Sequence, residues 1–523
     1  MAKSKVILVY SSSSPDIESG EIDFDRYKSV PIGILNIATW LDHNGYDVKV
    51  IDGRAYTKKE TLERLKKELH GALCIAFGIT TVQIKHGLHL SEYIRKADGN
   101  IPIIWGGIHP TMFPVQTIQD KLVDYVLYGE VEYPLLDLIK FIEGKKKSID
   151  DVKGLVYKKD GQIVINPMHP GINPNELPVP KYELLDINRY IEREFLTNLG
   201  KIRKMRALDI NTSRGCPYRC NFCPNTMDVF KRYRVQSLDR VFKLIDHLVE
   251  TYKLDHIWFC DELFFVEKNK VRAIAEHLIE KNYNITWESN ARVDQFNDRL
   301  LDDELLALIK KSGCFALRMG MESGSNRILK LMKKDCVVDD VTKAVQQCEK
   351  YGIIPIGNFI IGFPTETREE MITTAKLILK LKDMSPNGLF YSPGLLRPYP
   401  GTEIYEYAKQ YGGFDEPKSL REWANKEIDV GLFVNPRDLR WIKDPEWLLN
   451  FQVYFYVLTV MKTHELMKKH LSPAWKLAGK ISEFRLKHNF WKFSLEPRMM
   501  IEIKKFLDKN STVAQFIKKT LSL

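Results

Sequence analysis

Ser213-Arg-Gly-Cys-Pro-Tyr-Arg-Cys-Asn-Phe-Cys-Pro224 places three cysteines, Cys216, Cys220 and Cys223, in one short run. Their spacing, three residues and then two, lets three thiolates converge on one inorganic core with no fourth cysteine nearby to complete the set. One iron of an iron-sulfur cluster would then stay open to a substrate or cosubstrate, whereas a cluster with four thiolates is confined to electron transfer or structure. The competing use is a structural zinc shared with a distant His or with Cys260, but such sites pair one C-x₂₋₄-C with a second, and the chain has no second pair. Disulfides fit less well. The chain runs from Met1-Ala-Lys-Ser-Lys5 straight into a strand-like segment, leaving no room for a secretory leader. The other cysteines, Cys74, Cys260, Cys314, Cys336 and Cys348, are scattered through apolar segments.

Outward from this motif, six strand-like runs alternate with helical ones: residues 207–212, 256–260, 285–289, 315–321, 354–361 and 388–394. Six βα units predict a partial barrel whose active site lies at the C-terminal ends of its strands. The cysteine loop follows the first strand directly. The other strand ends carry Asp261 and Glu262, then Glu288, Ser289, Asn290 and Arg292, then Glu322, Ser323 and Gly324, then Gly362, Phe363 and Pro364. A ring of polar groups thus faces the cluster.

Upstream, residues 5–145 alternate β-rich runs (5–10, 47–51, 73–79, 101–105, 125–127) with helical stretches such as 33–41 and 88–94. That order predicts an α/β unit, a Rossmann-like doubly wound parallel sheet, with ligands beyond the carboxyl ends of its strands. Turns suited to close backbone approach occur there: Phe77-Gly-Ile-Thr-Thr81, Trp105-Gly-Gly-Ile-His-Pro-Thr111 and Tyr128-Gly-Glu130. Ordinary βα turn chemistry explains such glycines equally well. Residues 146–200 read as a linker carrying a small β-ribbon, and 411–523 as a lysine-rich, aromatic helical region. The domains expected are therefore 1–145, a linker 146–200, a barrel over 201–410 and a helical domain 411–523. Tyr454, Phe455, Trp475, Phe484, Phe490, Trp491 and Phe493 would line an apolar pocket or, more ordinarily, form a helical core.

The hydrophobic share of 44% and charged share of 28% are ordinary for a globular protein. The net charge of +10 is spread along the chain rather than striped, so it selects no partner and gives no RNA-recognition signature. The most apolar window, 451–461, is well short of the ~20 residues a membrane span needs. A cytoplasmic protein is expected. The basic, aromatic stretch 475–493 would suit peripheral membrane contact if the substrate were a lipid.

With these motifs the chain resembles the radical S-adenosylmethionine (SAM) superfamily, and within it the members with an N-terminal cobalamin-binding domain, over residues 6–408. The resemblance implies that SAM chelates the open iron of a [4Fe-4S] cluster held by Cys216, Cys220 and Cys223, and is cleaved by one electron to a 5′-deoxyadenosyl radical. It implies SAM contacts from Phe222 before the last cysteine, from Asn290 and Arg292, and from Glu322 and Ser323 in Gly320-Met-Glu-Ser-Gly324. Gly362-Phe-Pro-Thr-Glu366 and Arg397-Pro-Tyr-Pro-Gly-Thr402 also resemble the family's strand-end segments. Pro31-Ile-Gly-Ile-Leu35, Gly106-Gly-Ile-His-Pro-Thr111 and Asp124-Tyr-Val-Leu-Tyr-Gly-Glu130 resemble the cobalamin module, implying contacts from Thr80, Gly106, Gly107, His109, Gly129 and Glu130. No Asp-x-His-x-x-Gly run is present, so cobalamin is expected to bind without a protein histidine on cobalt.

The function this implies is a cobalamin-dependent radical SAM enzyme acting at an unactivated carbon, a C-methyltransferase in the first instance, served by a reductant such as ferredoxin or flavodoxin. The alternative within enzymes is a radical cyclase or carbon-carbon coupling enzyme of tetrapyrrole or lipid biosynthesis. A methylthiotransferase would bring three further cysteines in the N-terminal domain, where only Cys74 stands. Outside enzymes, an iron-sulfur nucleic-acid-binding module would need a basic stripe the sequence lacks, so no nucleic-acid partner is expected. The substrate itself, an organic molecule, is not specified by any motif.

Overall fold

In the computed structural model, which describes residues 3–13, 29–196, 202–227, 232–425, 439–463, 473–488 and 490, the chain builds two sheets and a helical tail. In the first sheet β1 (Lys5–Tyr10), β2 (Asp47–Asp52), β3 (Ala72–Gly78), β4 (Ile103–Gly106) and β5 (Tyr125–Leu127) pair in parallel in the order β2-β1-β3-β4-β5. The order reverses beside β1, and a crevice opens at such a switch point because the connections leave on opposite faces. The central strands are unbroken apolar runs because helices cover both faces. Ile7, Val9, Ile75, Phe77 and Trp105 pack with Leu65, Leu69, Ile84 and Leu88 on one side. Val6, Leu8, Cys74, Ala76 and Ile104 pack with Ile34, Leu41, Leu135 and Leu138 on the other, the period of two expected of a strand.

The ribbon read as part of a linker belongs to this sheet. β6 (Leu155–Lys159) pairs antiparallel with β5, and β7 (Gln162–Ile165) with β6. Its first three residues are buried, which a freestanding ribbon would not achieve.

The second sheet is an open half-barrel. β9 (Ile202–Ile210), β12 (His256–Phe259), β13 (Thr286–Ala291), β14 (Cys314–Glu322) and β15 (Ile354–Ile361) run in parallel, β15 carries both β16 (Leu389–Phe390) and β17 (Gly394–Leu395), and β8 (Glu192–Leu196) adds antiparallel to β9. β8 was hidden from sequence reading because Glu-Arg-Glu-Phe-Leu has no apolar alternation. The strand expected over 388–394 is split, with Pro393 between the halves, and proline cannot donate to a ladder. Leu208, Ile257, Phe259, Trp287, Leu317, Met319 and Phe359 point outward into one core with the helices. Asp209, Trp258 and Glu288 lie in register on the opposite face, which Arg318 and Asn358 share further along their strands, so polar groups line this part of the lumen.

Beyond the barrel come the helices Leu420–Asn425, Pro445–Thr463 and Pro473–His488. The first crosses back to the N-terminal sheet, where Trp423 Nε1 donates to Gln116 Oε1 at 3.1 Å. Tyr454 and Phe455 are buried, as a helical core requires, and Phe484 and Phe490 are exposed. The side chain of Trp475, together with Trp491 and Phe493, lies outside the described residues. Among the described residues no helix is long and apolar enough to cross a membrane.

Candidate active site

The cysteine motif sits on a loop with a closed neck. β10 (Ser213–Arg214) pairs antiparallel with β11 (Arg234–Val235), so the chain between them is an excursion from the mouth of the half-barrel. Asp261, fully buried just past the end of β12, holds the base of that neck. Its carboxylate accepts from Thr212 N at 3.0 Å, Thr212 Oγ1 at 3.0 Å and Ser213 Oγ. Gln236 reinforces it, donating from its backbone to Thr212 O at 2.9 Å and from Nε2 to Asn211 O at 2.9 Å. Asp261→Asn replaces one acceptor oxygen with a donor facing these donors. It is expected to lower stability by about 1–3 kcal/mol and to weaken retention of iron, read as melting temperature and iron per chain after anoxic gel filtration. Wild-type values for both would contradict this role.

All eight cysteines are free thiols. Cys220 is buried and Cys216 and Cys223 half-buried. Burial pushes the thiols of Cys216 and Cys223 up, opposed by the backbone N–H groups of Tyr218 and Asn225. Arg292 Nη1 donates to Cys220 Sγ at 3.5 Å. Three thiols on one loop, each met by a donor that favours the thiolate, suit an iron-sulfur core.

The residues expected to meet SAM divide into two groups. Glu322 is buried at φ 56°, in the left-handed region that penalises a side chain, and its Oε1 lies 2.8 Å from Lys334 Nζ. Burial opposes the Lys334 charge, but Glu322 and Cys220 hold its pKa above the ordinary lysine value. Gly320 makes the room: a Cβ there would stand 2.1 Å from Glu322 Oε1. Lys334 Nζ is 6.0 Å from the Phe222 ring, and Phe222 packs against the apolar cluster of Ile328, Met332, Phe363, Leu396 and Ile404. Lys334, missed by sequence reading, belongs with Glu322, Phe222 and Cys220. The only hint was its place in the lysine-rich Lys330-Leu-Met-Lys-Lys334 turn.

Arg292 and Ser323 have other partners. Arg292 lies 3.6 Å from the Tyr218 ring, pairs with Asp294 Oδ1 at 2.9 Å and donates to Lys334 O, so it ties the cysteine loop to β13 and to Lys334. Ser323 is fully buried, its Oγ accepting from Ser325 N at 3.1 Å beside Thr374. Its hydroxyl caps the turn that follows β14. Asn290, half-buried, donates from Nδ2 to Asp261 O at 2.8 Å.

At the carboxyl edge of the first sheet, Gly106 ends β4, and Thr80, Gly107 and Gly129 stand on the turns after β3, β4 and β5. Gly107 has φ 101°, and a Cβ would come within 2.8 Å of both Ile79 N and Ile79 O, so only glycine fits between these turns. Gly129 N donates to Thr111 Oγ1 at 3.0 Å, and Thr80 N to Gln83 Oε1 at 2.8 Å. His109 Nδ1 lies 3.3 Å from Thr81 Oγ1, in the segment that follows β3. It is fully buried, with ring centroids 5.1 Å from Phe113 and 5.5 Å from Trp423, and burial pushes its pKa down to about 3, keeping it neutral. Both oxygens of Glu130 accept hydrogen bonds from protein donors. Arg234 binds it bidentately at 2.7 and 2.6 Å, and Ile172 N donates at 2.8 Å. Burial pushes this carboxyl up, but the Arg234 hydrogen bonds and the Arg214 charge hold it below the ordinary glutamate value.

The geometry agrees with what related proteins show. The family model for the radical SAM superfamily matches residues 210–378, and that for the B12 binding domain residues 26–139. The chain carries a radical SAM domain and a B12-binding domain. This radical SAM chain is 28% identical over 436 residues to the uncharacterized methyltransferase PH0819 of Pyrococcus horikoshii, covering 79% of this chain and 89% of that one. It is 25% identical to the anaerobic magnesium-protoporphyrin IX monomethyl ester cyclase of Rubrivivax gelatinosus, covering 72% of this chain and 66% of that one. The solved structure of OxsB, a cobalamin-dependent S-adenosylmethionine radical enzyme with aqua-cobalamin and S-adenosylmethionine bound, superposes with a TM-score of 0.69 at 19% identity. The superposition covers 97% of this chain and 75% of that one. It establishes a common fold over nearly the whole radical SAM chain.

Proposed function

We propose that this protein is a cobalamin-dependent radical SAM C-methyltransferase acting at an unactivated carbon of an organic substrate. The observation that carries this reading is the pairing of a B12-binding domain with a radical SAM barrel on this chain, together with its match along most of both lengths to a relative named as a methyltransferase. When bound, the [4Fe-4S] cluster and SAM would supply a 5′-deoxyadenosyl radical and cobalamin the methyl group, so the protein's task is positioning and exclusion of water.

Cys216, Cys220 and Cys223 hold the cluster in this reading. Lys334 and Glu322 present an ammonium and a carboxylate beside it, matching the carboxylate and ammonium of an amino-acid moiety. Phe222 gives the same pocket an apolar wall. Thr80, Gly106, Gly107 and Gly129 form the edge on which a large planar corrin rests, since glycines leave the backbone open to close approach. An external reductant is required, and a low-potential carrier such as ferredoxin or flavodoxin fills that role. Eight free thiols suit the reducing cytoplasm.

A second reading, radical cyclisation, draws support from the cyclase relative. Anoxic reconstitution with cobalamin and methyl-labelled SAM, on extracts of cells lacking the gene, separates the two. Labelled methyl in a product, dependent on cobalamin, is the expected result. SAM cleavage with a product that carries no label would favour cyclisation and defeat methylation.

A further inference from the structure

Four charged side chains converge where the two sheets meet. Arg214 is in β10 and Arg234 in β11, so both strands of the neck contribute a guanidinium. Glu130 comes from the turn after β5 and Glu132 opens the helix Glu132–Ile142 that follows, both in the B12-binding domain. Arg234 binds Glu130 bidentately, Arg214 Nη2 reaches Glu132 Oε1 at 2.6 Å, and Arg214 Nη1 lies 3.5 Å from Glu130 Oε1. Arg234 Nη1 also donates to Ile172 O at 2.6 Å, against Gly171, where a Cβ would stand 2.9 Å away. The four side chains are between 6% and 19% exposed, so solvent screens them little. Bidentate arginine-carboxylate pairs fix orientation as well as distance.

We propose that Glu130 is a positioning residue that fastens the B12-binding domain to the neck of the cysteine loop, so that this ion cluster sets the separation of the two cofactor sites. A swing of one domain against the other would have to break the bidentate pair first. The inference rests on the proposed loading of both cofactors for its consequence, but the fastening itself is a property of the bare chain.

The test uses the full chain and the variant Glu130→Gln, with Arg234→Lys as a second variant that keeps the charge and loses the fork. In the cofactor-free protein, amide hydrogen exchange at Ser213, Arg214, Arg234 and Val235 is expected to speed up about ten- to a hundredfold in both variants. After reconstitution and loading with hydroxocobalamin reduced to the cobalt(II) state, cobalamin and iron content should match wild type. The relaxation enhancement between cobalt(II) and the reduced cluster in paramagnetic resonance should weaken. Unchanged exchange and unchanged relaxation in both variants would overturn the inference. So would loss of bound cobalamin with unchanged exchange, which would make Glu130 a ligand contact. A wild-type chain that takes up no hydroxocobalamin would instead sink the proposed function, with the exchange measurement still deciding the role of Glu130.

Discussion

Replacing any one of Cys216, Cys220 and Cys223 with alanine is expected to abolish iron-dependent visible absorption and reduce SAM cleavage to background, while the chain still folds. Two thiolates leave the core with two open irons, and a carboxylate or water is a far poorer iron ligand in such a core than a thiolate. The fold should tolerate the change. Cys216 and Cys223 are half-buried, and Cys220, at 7% exposure, behaves as a small buried hydrophobe whose truncation costs about 1 kcal/mol. Cys348→Ala is the matched control, since Cys348 is fully buried in the core behind the barrel and should affect stability without affecting iron. Iron and sulfide content, visible and paramagnetic spectra, and 5′-deoxyadenosine release under dithionite measure the outcome. Cleavage that survives removal of all three thiols would remove the basis of the proposed function.

The parts of this site that could be read in the sequence are those fixed by local pattern. The cysteine spacing, the strand-end positions of Asp261, Asn290 and Glu322, and the apolar runs of β1, β3 and β15 follow from periodicity of two and turn chemistry within a few residues. What stayed hidden depends on partners far along the chain. Glu130 reads as a ligand contact because it ends a glycine turn, yet Arg234, 104 residues later, claims it. His109 reads only as a turn residue of the cobalamin module, and nothing near it in the sequence announces that Trp423 from the returning tail packs against its ring. Ser323 looks like a polar strand end facing the mouth, but Thr374 from the helix Arg368–Met384 closes over it. β8 escaped because an edge strand can be built from charged residues. In each case the competing effect is a tertiary contact that no window of sequence contains.

Lys334→Met is expected to be among the most destabilising single changes at the mouth of the barrel. Glu322 and Lys334 each have side chains only 8% exposed, so removing the ammonium leaves a buried carboxylate unpaired, at a cost of about 3–5 kcal/mol. The backbone compounds this. Glu322 sits at φ 56°, a conformation that costs an ordinary residue about 1–2 kcal/mol and that the ion pair helps to hold. Glu322→Gln leaves the ammonium buried instead and should destabilise in the same direction. The double variant Glu322→Gln with Lys334→Met removes both charges, and its stability should recover toward wild type because the two losses share one interaction. If the pair only holds the strand end, SAM cleavage should recover along with stability. If it receives the amino-acid moiety of SAM, the double variant should melt near wild type yet bind SAM poorly, seen as loss of the SAM-induced change in the cluster's paramagnetic signal. Thermal melts of the three variants with SAM titrations followed by that signal separate these outcomes. Restored stability together with restored SAM binding would confine Glu322 and Lys334 to the scaffold.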